Sequence, residues 1–154
     1  PTQLLKDLPA FADHIETEDI PFQLLGALAG YAWYFAETFV ACRLAVPGSW
    51  STRQYAAAME TRVRTSRDLI ALNEGYDAFS EGRYHDAFAD AIRYQEFLIL
   101  CYGHKLRDAM RPPYRAYYDA LSAKRKIRLR CEKVFPRLTA RAIAAIRRFR
   151  SKRI

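Results

Sequence analysis

Four His and Cys side chains, which are common metal ligands, lie between residues 85 and 131 of this 154-residue chain. Cys101 and His104 are three residues apart, so a helix would place them on one face, where they could share a metal ion. His85 and Cys131 are the further candidate ligands, and neither belongs to a second close pair. Structural zinc usually takes four ligands in two close pairs. The spacing therefore favours a buried cysteine beside a surface histidine, and no metal site is predicted.

The remaining reactive side chains do not form a catalytic pattern. Asp86 and Asp90 have the i, i+4 spacing of a carboxylate pair on a helix, but no Glu-x-x-His motif accompanies them. The sequence has no Gly-rich phosphate loop, no nucleophile elbow and no His-Asp-Ser set. We therefore predict that the protein is not an enzyme and needs no cofactor. The three scattered cysteines predict reduced thiols, because they are too few for a disulfide framework.

Positive charge is concentrated in the last third of the chain. The net charge is +8 overall, but residues 1–46 sum to −4, residues 47–104 to −2 and residues 105–154 to +14. A basic region of this density attracts phosphate, in nucleic acid or in anionic lipid. The first basic helical segment carries Lys124, Arg125, Lys126, Arg128, Arg130 and Lys133. The residues predicted to bind lipid or phosphate are Arg43, Arg137, Arg141, Arg147, Arg148 and Arg150.

Apolar residues recur at helical spacing along the whole chain, and no β-alternation competes with them. The predicted fold class is all-α, with one long apolar, transmembrane helix followed by a helical hairpin and two basic helices. Pro and Gly residues separate the segments. The predicted regions are 1–20 (N-terminal amphipathic segment), 21–47 (transmembrane or core helix), 48–111 (helical hairpin) and 112–154 (basic helical C-terminal region). Within them, helices are expected at 2–15, 22–46, 51–79, 84–110, 114–134 and 138–150.

The segment from Leu24 to Val46 is the longest apolar stretch in the chain. Gly26 and Gly30 form a Gly-x-x-x-Gly motif, which lets two membrane helices approach closely. Its strongly apolar residues contribute about −4 kcal/mol to insertion, and Glu37 near the middle costs on the order of 2.5–3.5 kcal/mol. The sum of these insertion free energies is near zero. A lone membrane-spanning helix is therefore marginal, whereas a spanning helix with protein neighbours is reasonable. The same sum allows a core helix of a soluble bundle.

The peptide WYFAETFVACR (Trp33 to Arg43) resembles the membrane helix of mitochondrial ATP synthase subunit g. That family combines a Gly-spaced helix face with an aromatic cluster, an intramembrane Glu and a distal Arg. The resemblance implies a structural role in pairing ATP synthase complexes and bending the inner membrane, with cardiolipin at the charged ends. Glu37 would then contact a neighbouring helix. The excess of Lys and Arg after the helix places the C-terminal region on the matrix side.

Residues 72–94 resemble one tetratricopeptide hairpin, with Gly75, Gly82, Tyr84 and Ala87 at the mutual spacings of that repeat. Gly75 and Ala87 would let the two helices approach, and Gly82 would form the turn. No second copy is present, and a solenoid needs about three repeats. We therefore interpret the segment as a helical packing unit and not as a peptide-binding array.

Two functions fit these patterns. The first is a non-catalytic accessory membrane subunit of a mitochondrial energy-transducing complex, specifically ATP synthase, with other subunits and anionic lipid such as cardiolipin as partners. The second is a soluble helical RNA-associated protein, such as an organellar ribosomal subunit, in which the basic C-terminal region binds RNA phosphate. A soluble helical adaptor is a third possibility.

Overall fold

The computed structural model describes residues 6, 8–12, 19–30, 35–38, 46, 49 and 59–134. Over these residues the fold is all-α, as predicted, and contains no strand. A 3-10 turn at Ala10–Ala12 follows the helical Lys6 in the N-terminal segment. In chain order the six α-helices of the described part are α1 (Asp19–Ala29), α2 (Met59–Phe79), α3 (His85–Tyr102), α4 (Leu106–Ala109), α5 (Arg115–Ala120) and α6 (Ala123–Val134). The predicted last helix, 138–150, lies outside the described residues.

The predicted continuous apolar helix over residues 22–46 is wrong. α1 starts earlier, because Asp19 favours a helix N-terminus and Pro21 is tolerated in a first turn. It ends at Ala29, Gly30 lies in a bend, and residues 35–38 are exposed and non-helical. Among the described residues, no helix has the length and apolar character needed to cross a membrane.

The chain divides into two compact units, and the first comprises Pro1–Arg43 with Val63–Glu96. Its core is formed by Ala12, Leu25, Leu72, Tyr76 and Phe88. Tyr76 is completely buried, and its hydroxyl donates a hydrogen bond of 2.8 Å to the backbone carbonyl of the third residue of α1. The N-terminal segment also reaches this core, although its predicted helix over 2–15 is interrupted because Leu8 and Pro9 are non-helical.

The hairpin turn between α2 and α3 is the one that the sequence predicted. Gly82 has φ +71°, a left-handed conformation that glycine adopts without steric cost. The predicted role of Gly75 and Ala87 is wrong, however. A Cβ built on Gly75 would meet the ring of Phe11 at 2.5 Å, and Ala87 is exposed. The three atoms nearest to that Cβ all belong to Phe11, so Gly75 accommodates the N-terminal segment.

An ion pair closes the same hairpin. His85 Nδ1 lies 2.7 Å from Asp77 Oδ2, so the first residue of α3 is bound to the last turn of α2. The hydrogen bond and the charge of Asp77 raise the pKa of His85 above its ordinary value. The protonated imidazole therefore strengthens the closed hairpin.

The second unit comprises Leu44–Arg62 with Phe97–Ile154. Among its described residues, the core is formed by Phe97, Cys101, Leu106, Ala109, Tyr118 and Leu129. The predicted helix over 84–110 is too long, because α3 ends at Tyr102. His104 adopts φ +56°, and the amide of Lys105 donates to the carbonyl of Leu100 at 2.9 Å. This is the Schellman pattern that ends a helix.

The predicted single helix over residues 114–134 is also two helices, α5 and α6. They separate at Leu121, whose backbone is extended with ψ 141°. Ser122 is the N-cap of α6, because its hydroxyl oxygen accepts a hydrogen bond of 3.4 Å from the Arg125 amide. Serine is a preferred N-cap residue, since its oxygen satisfies an amide that the first helical turn leaves unpaired. The break therefore ends α5 at Ala120 and starts α6 at Ala123.

Candidate anionic-surface site

Helix α6 is the most basic element that the structure describes. Its twelve residues contain six Lys and Arg side chains and a single Glu. Only Leu129 is buried, at 9% exposure, and it joins the core of the second unit. One leucine therefore holds the helix against the protein, while most of its circumference faces outward. A helix this basic and this exposed can present its cations to phosphate groups.

Side chains that face away from the core form an apolar stripe on α6. Ile127, Cys131 and Val134 have the i, i+4, i+7 spacing of one helix face. Ile127 is 60% exposed, Val134 is 63% exposed, and Cys131 is an exposed free thiol. At about 100° per residue, Ile127 lies about 200° from Leu129. The stripe therefore points almost directly away from the core of the second unit.

Two of the six cations are bound by groups of the protein itself. The Lys126 ammonium donates to the Asp119 carbonyl oxygen at 2.8 Å and lies 5.5 Å from the centroid of the Tyr118 ring. Arg128 Nε donates to Glu132 Oε1 at 2.7 Å, one turn further along the helix. The Lys126 contacts join α6 to the end of α5, whereas the Arg128–Glu132 pair lies within α6 and partly neutralises one side of the helix.

Four other cations of α6 are exposed: Lys124, Arg125, Arg130 and Lys133. None of them forms an ion pair with another side chain in the part of the chain that the structure describes. The 100° step per residue places Lys124 on one side of the apolar stripe and Arg130 on the other, whereas Lys133, one turn after Leu129, lies nearer the core-facing side. The site thus combines an outward apolar centre with positive charge on both edges.

The charge of Arg125 also acts on the core beneath the helix. Burial raises the pKa of the Cys101 thiol to about 11, and Arg125 opposes part of that rise. The thiol is therefore protonated at physiological pH and behaves as a small apolar core residue. This agrees with its place among Phe97, Leu106 and Tyr118.

Comparison with protein-family models, with curated proteins and with solved structures finds no match to this chain.

The predicted helix-packing residues do not pack against the described protein. Gly26 lies within α1, and Gly30 lies in the bend just after it. A Cβ on either glycine would meet nothing within 4 Å. Glu37, predicted inside the same helix, is exposed and non-helical. The structure therefore does not bring these three residues together in one helix.

The predicted lipid- or phosphate-binding set falls where the structure gives no description. Arg43, Arg137, Arg141, Arg147, Arg148 and Arg150 all lie outside the described residues. The cations of α6 precede most of that set in the chain and lie within the described residues.

The prediction that Cys101 and His104 share one helix face is wrong. Cys101 is buried in α3, whereas His104 lies beyond the end of that helix in the left-handed turn. Asp86 and Asp90 do lie one turn apart on α3, as their spacing predicted. In the described ranges, no group of three or more His, Cys, Asp and Glu side chains could hold a metal ion.

Sequence reasoning identified the charge of α6 but missed its apolar stripe. The i, i+4, i+7 spacing of Ile127, Cys131 and Val134 was visible as a pattern. Such spacing normally marks the buried side of a helix. Here the buried side is marked by Leu129 instead, and only the tertiary structure shows which side faces the core.

Proposed function

We propose that this protein is a non-catalytic accessory subunit of a membrane-associated complex, and that α6 binds the complex or its membrane through phosphate groups. The observation that carries the proposal is the exposure of Lys124, Arg130 and Lys133 on a helix that a single leucine attaches to the core. Cations near an anionic membrane surface each contribute about 1 kcal/mol to attachment.

The complex that we propose is mitochondrial and energy-transducing, specifically ATP synthase at the inner membrane. The resemblance of Trp33 to Arg43 to subunit g supports it. Cardiolipin, with its two phosphates, is the lipid that the charge of α6 would attract. The proposal does not require a continuous helix over residues 22–46.

An RNA-associated protein, such as an organellar ribosomal subunit, is the second candidate. The same exposed cations favour it, because RNA phosphates attract a basic helix by the same electrostatic mechanism. The two candidates differ in what the neighbouring apolar side chains would contact, since RNA phosphates offer no apolar surface.

A charge-removal variant tests whether α6 is the binding surface. Lys124→Gln, Arg130→Gln and Lys133→Gln together remove three exposed cations and disturb no described ion pair. We expect the affinity for cardiolipin-containing vesicles to fall on the order of 100-fold at physiological salt, from about 1 kcal/mol for each cation. Vesicle flotation with quantified protein measures this change.

A matched control removes the same charge elsewhere in the second unit. Lys105→Gln, Arg107→Gln and Arg111→Gln also change three exposed cations, none of which lies on α6. We expect this variant to lose much less affinity than the α6 variant. Equal losses would mean that net charge alone determines attachment, and the proposed site would then be wrong.

Membership of a complex needs a separate measurement. Tagged full-length protein is expressed in its own cells, extracted in mild detergent and resolved on a native gel. We expect it to migrate with a large membrane complex that contains ATP synthase subunits. Migration with ribosomal particles, and its loss after ribonuclease treatment, would instead support the second candidate.

A further inference from the structure

We infer that α6 lies in the headgroup layer of an anionic membrane, with Ile127, Cys131 and Val134 inserted towards the acyl chains. This inference rests on the proposed function, because it names the phosphate-bearing partner of the cationic face. It states that the partner is a lipid surface, and not RNA or a protein subunit.

The direction of the apolar stripe is the first argument. Ile127 and Val134 are large apolar side chains, and both are more than half exposed on the side of α6 opposite its only buried residue. Exposing such area to water is unfavourable, and an apolar environment removes the cost. A bilayer interface offers that environment along the whole length of a helix lying flat on it.

The arrangement of charge around the stripe is the second argument. Lys124 on one edge and Arg130 on the other would lie at headgroup level when the stripe faces the acyl chains. Their long side chains can extend to phosphates while their methylene groups stay in the apolar layer. An apolar centre with cations on both edges is the pattern of interfacial helices on anionic lipid.

RNA is disfavoured by the same geometry. A helix that binds phosphates would place cations at the centre of its contact surface, yet the centre here holds Ile127, Cys131 and Val134. Either edge alone could meet a phosphate backbone, but the stripe would then remain in water. Lipid is the partner that matches both the apolar centre and the charged edges.

The thiol of Cys131 lies at the centre of the apolar stripe, so a label attached there tests whether the stripe enters the membrane. A Cys42→Ser variant of the full chain is labelled with an environment-sensitive thiol fluorophore. Cys131 is exposed, whereas Cys101 is buried and its pKa is raised to about 11, so labelling is expected at Cys131. Mass spectrometry of peptides confirms the labelled position. The probes are phosphatidylcholine vesicles with and without cardiolipin, and double-stranded RNA.

We expect a blue shift of emission with cardiolipin-containing vesicles, and quenching by a quencher attached to lipid acyl chains. Emission that stays unchanged while the protein floats with these vesicles would overturn the inference and leave the proposed electrostatic attachment standing. Failure to float with cardiolipin-containing vesicles at low salt would overturn both. A blue shift with RNA as large as with vesicles would overturn the choice of lipid.

A second pair of variants tests the stripe without a label. Ile127→Ser with Val134→Ser changes two exposed side chains, so the fold is expected to remain intact, as circular dichroism can verify. We expect affinity for cardiolipin-containing vesicles to fall on the order of tenfold per side chain, with RNA retention unchanged. The control Met110→Ser changes an exposed apolar residue outside α6 and should leave vesicle affinity unchanged. Unchanged vesicle affinity of the double variant would contradict insertion.

Discussion

Replacing Gly75 with alanine tests the packing of the first unit, because two opposing effects meet at this residue. Gly75 lies inside α2, where alanine is favoured over glycine by about 1 kcal/mol. The new Cβ, however, would lie 2.5 Å from Cδ2 and 2.9 Å from Cγ of Phe11. Carbon atoms cannot approach so closely, so the Phe11 ring or the helix must move.

Moving Phe11 has a cost that outweighs the helix gain. Inserting a methyl group into a packed contact typically costs about 1–3 kcal/mol. If the ring swings away instead, it loses its edge-on contact with Tyr76, where the ring centroids are 5.1 Å apart, worth about 0.5–1.5 kcal/mol in addition to lost burial. We therefore expect Gly75→Ala to destabilise the protein by about 1 kcal/mol overall.

A double-mutant cycle isolates the contact. In a Phe11→Ala background the clash is absent, so Gly75→Ala should stabilise by about 1 kcal/mol and reverse its sign. Gly26→Ala is the control, because a Cβ there meets nothing within 4 Å and the residue also lies inside a helix. It should be neutral or stabilising in both backgrounds. Urea unfolding followed by circular dichroism measures each free energy, and a stabilising Gly75→Ala with Phe11 present would refute the packing described here.

Three further outcomes are expected. Tyr76→Phe should lower the free energy of unfolding by about 1 kcal/mol in urea unfolding, because the carbonyl in α1 loses a buried hydrogen bond; an unchanged value would contradict that bond. The raised pKa of His85 means that its pair with Asp77 contributes stability fully below about pH 6.5 and loses it as pH rises through the raised value. The melting-temperature difference between wild type and Asp77→Asn should therefore shrink with rising pH, and a pH-independent difference would contradict the pair. Iodoacetamide at pH 8 should modify Cys131 and spare Cys101 in the folded protein, as peptide mass spectrometry can show; rapid modification of both would mean that the second core is open.

The features predicted correctly from sequence depend on local chemistry. The all-α class followed from apolar spacing, and the turn at Gly82 followed from the ability of glycine to adopt positive φ. The end of α2 at Phe79 was predicted for the same reason, since the turn residues follow it directly. Each of these signals lies within a few residues of the structure that it specifies.

The features that were missed depend on contacts distant in sequence or on exceptions to local preference. α3 ends because His104, which is not glycine, adopts a left-handed conformation. Gly75 was assigned to a helix–helix contact, but its neighbour is Phe11, 64 residues earlier in the chain. Apolar content alone could not show that α1 ends at Ala29, because the same composition suits a longer helix.

The charge of the candidate site was predictable from the sequence, but the side of α6 that faces the core was not. The charge of α6 is a property of composition and can be counted. Whether Ile127 or Leu129 faces the core depends on how Ser122 and Leu121 redirect the chain after α5. That redirection leaves the three-residue stripe outside and one leucine inside.

A competition between lipid and RNA tests the central claim most directly. The full chain is mixed at physiological salt with cardiolipin-containing vesicles and an excess of double-stranded RNA, and the mixture is separated by flotation. The structure predicts that the protein floats with the vesicles, and that Ile127→Ser with Val134→Ser shifts it to the RNA fraction. Wild-type protein that stays with the RNA would contradict the assignment of α6 to a membrane surface.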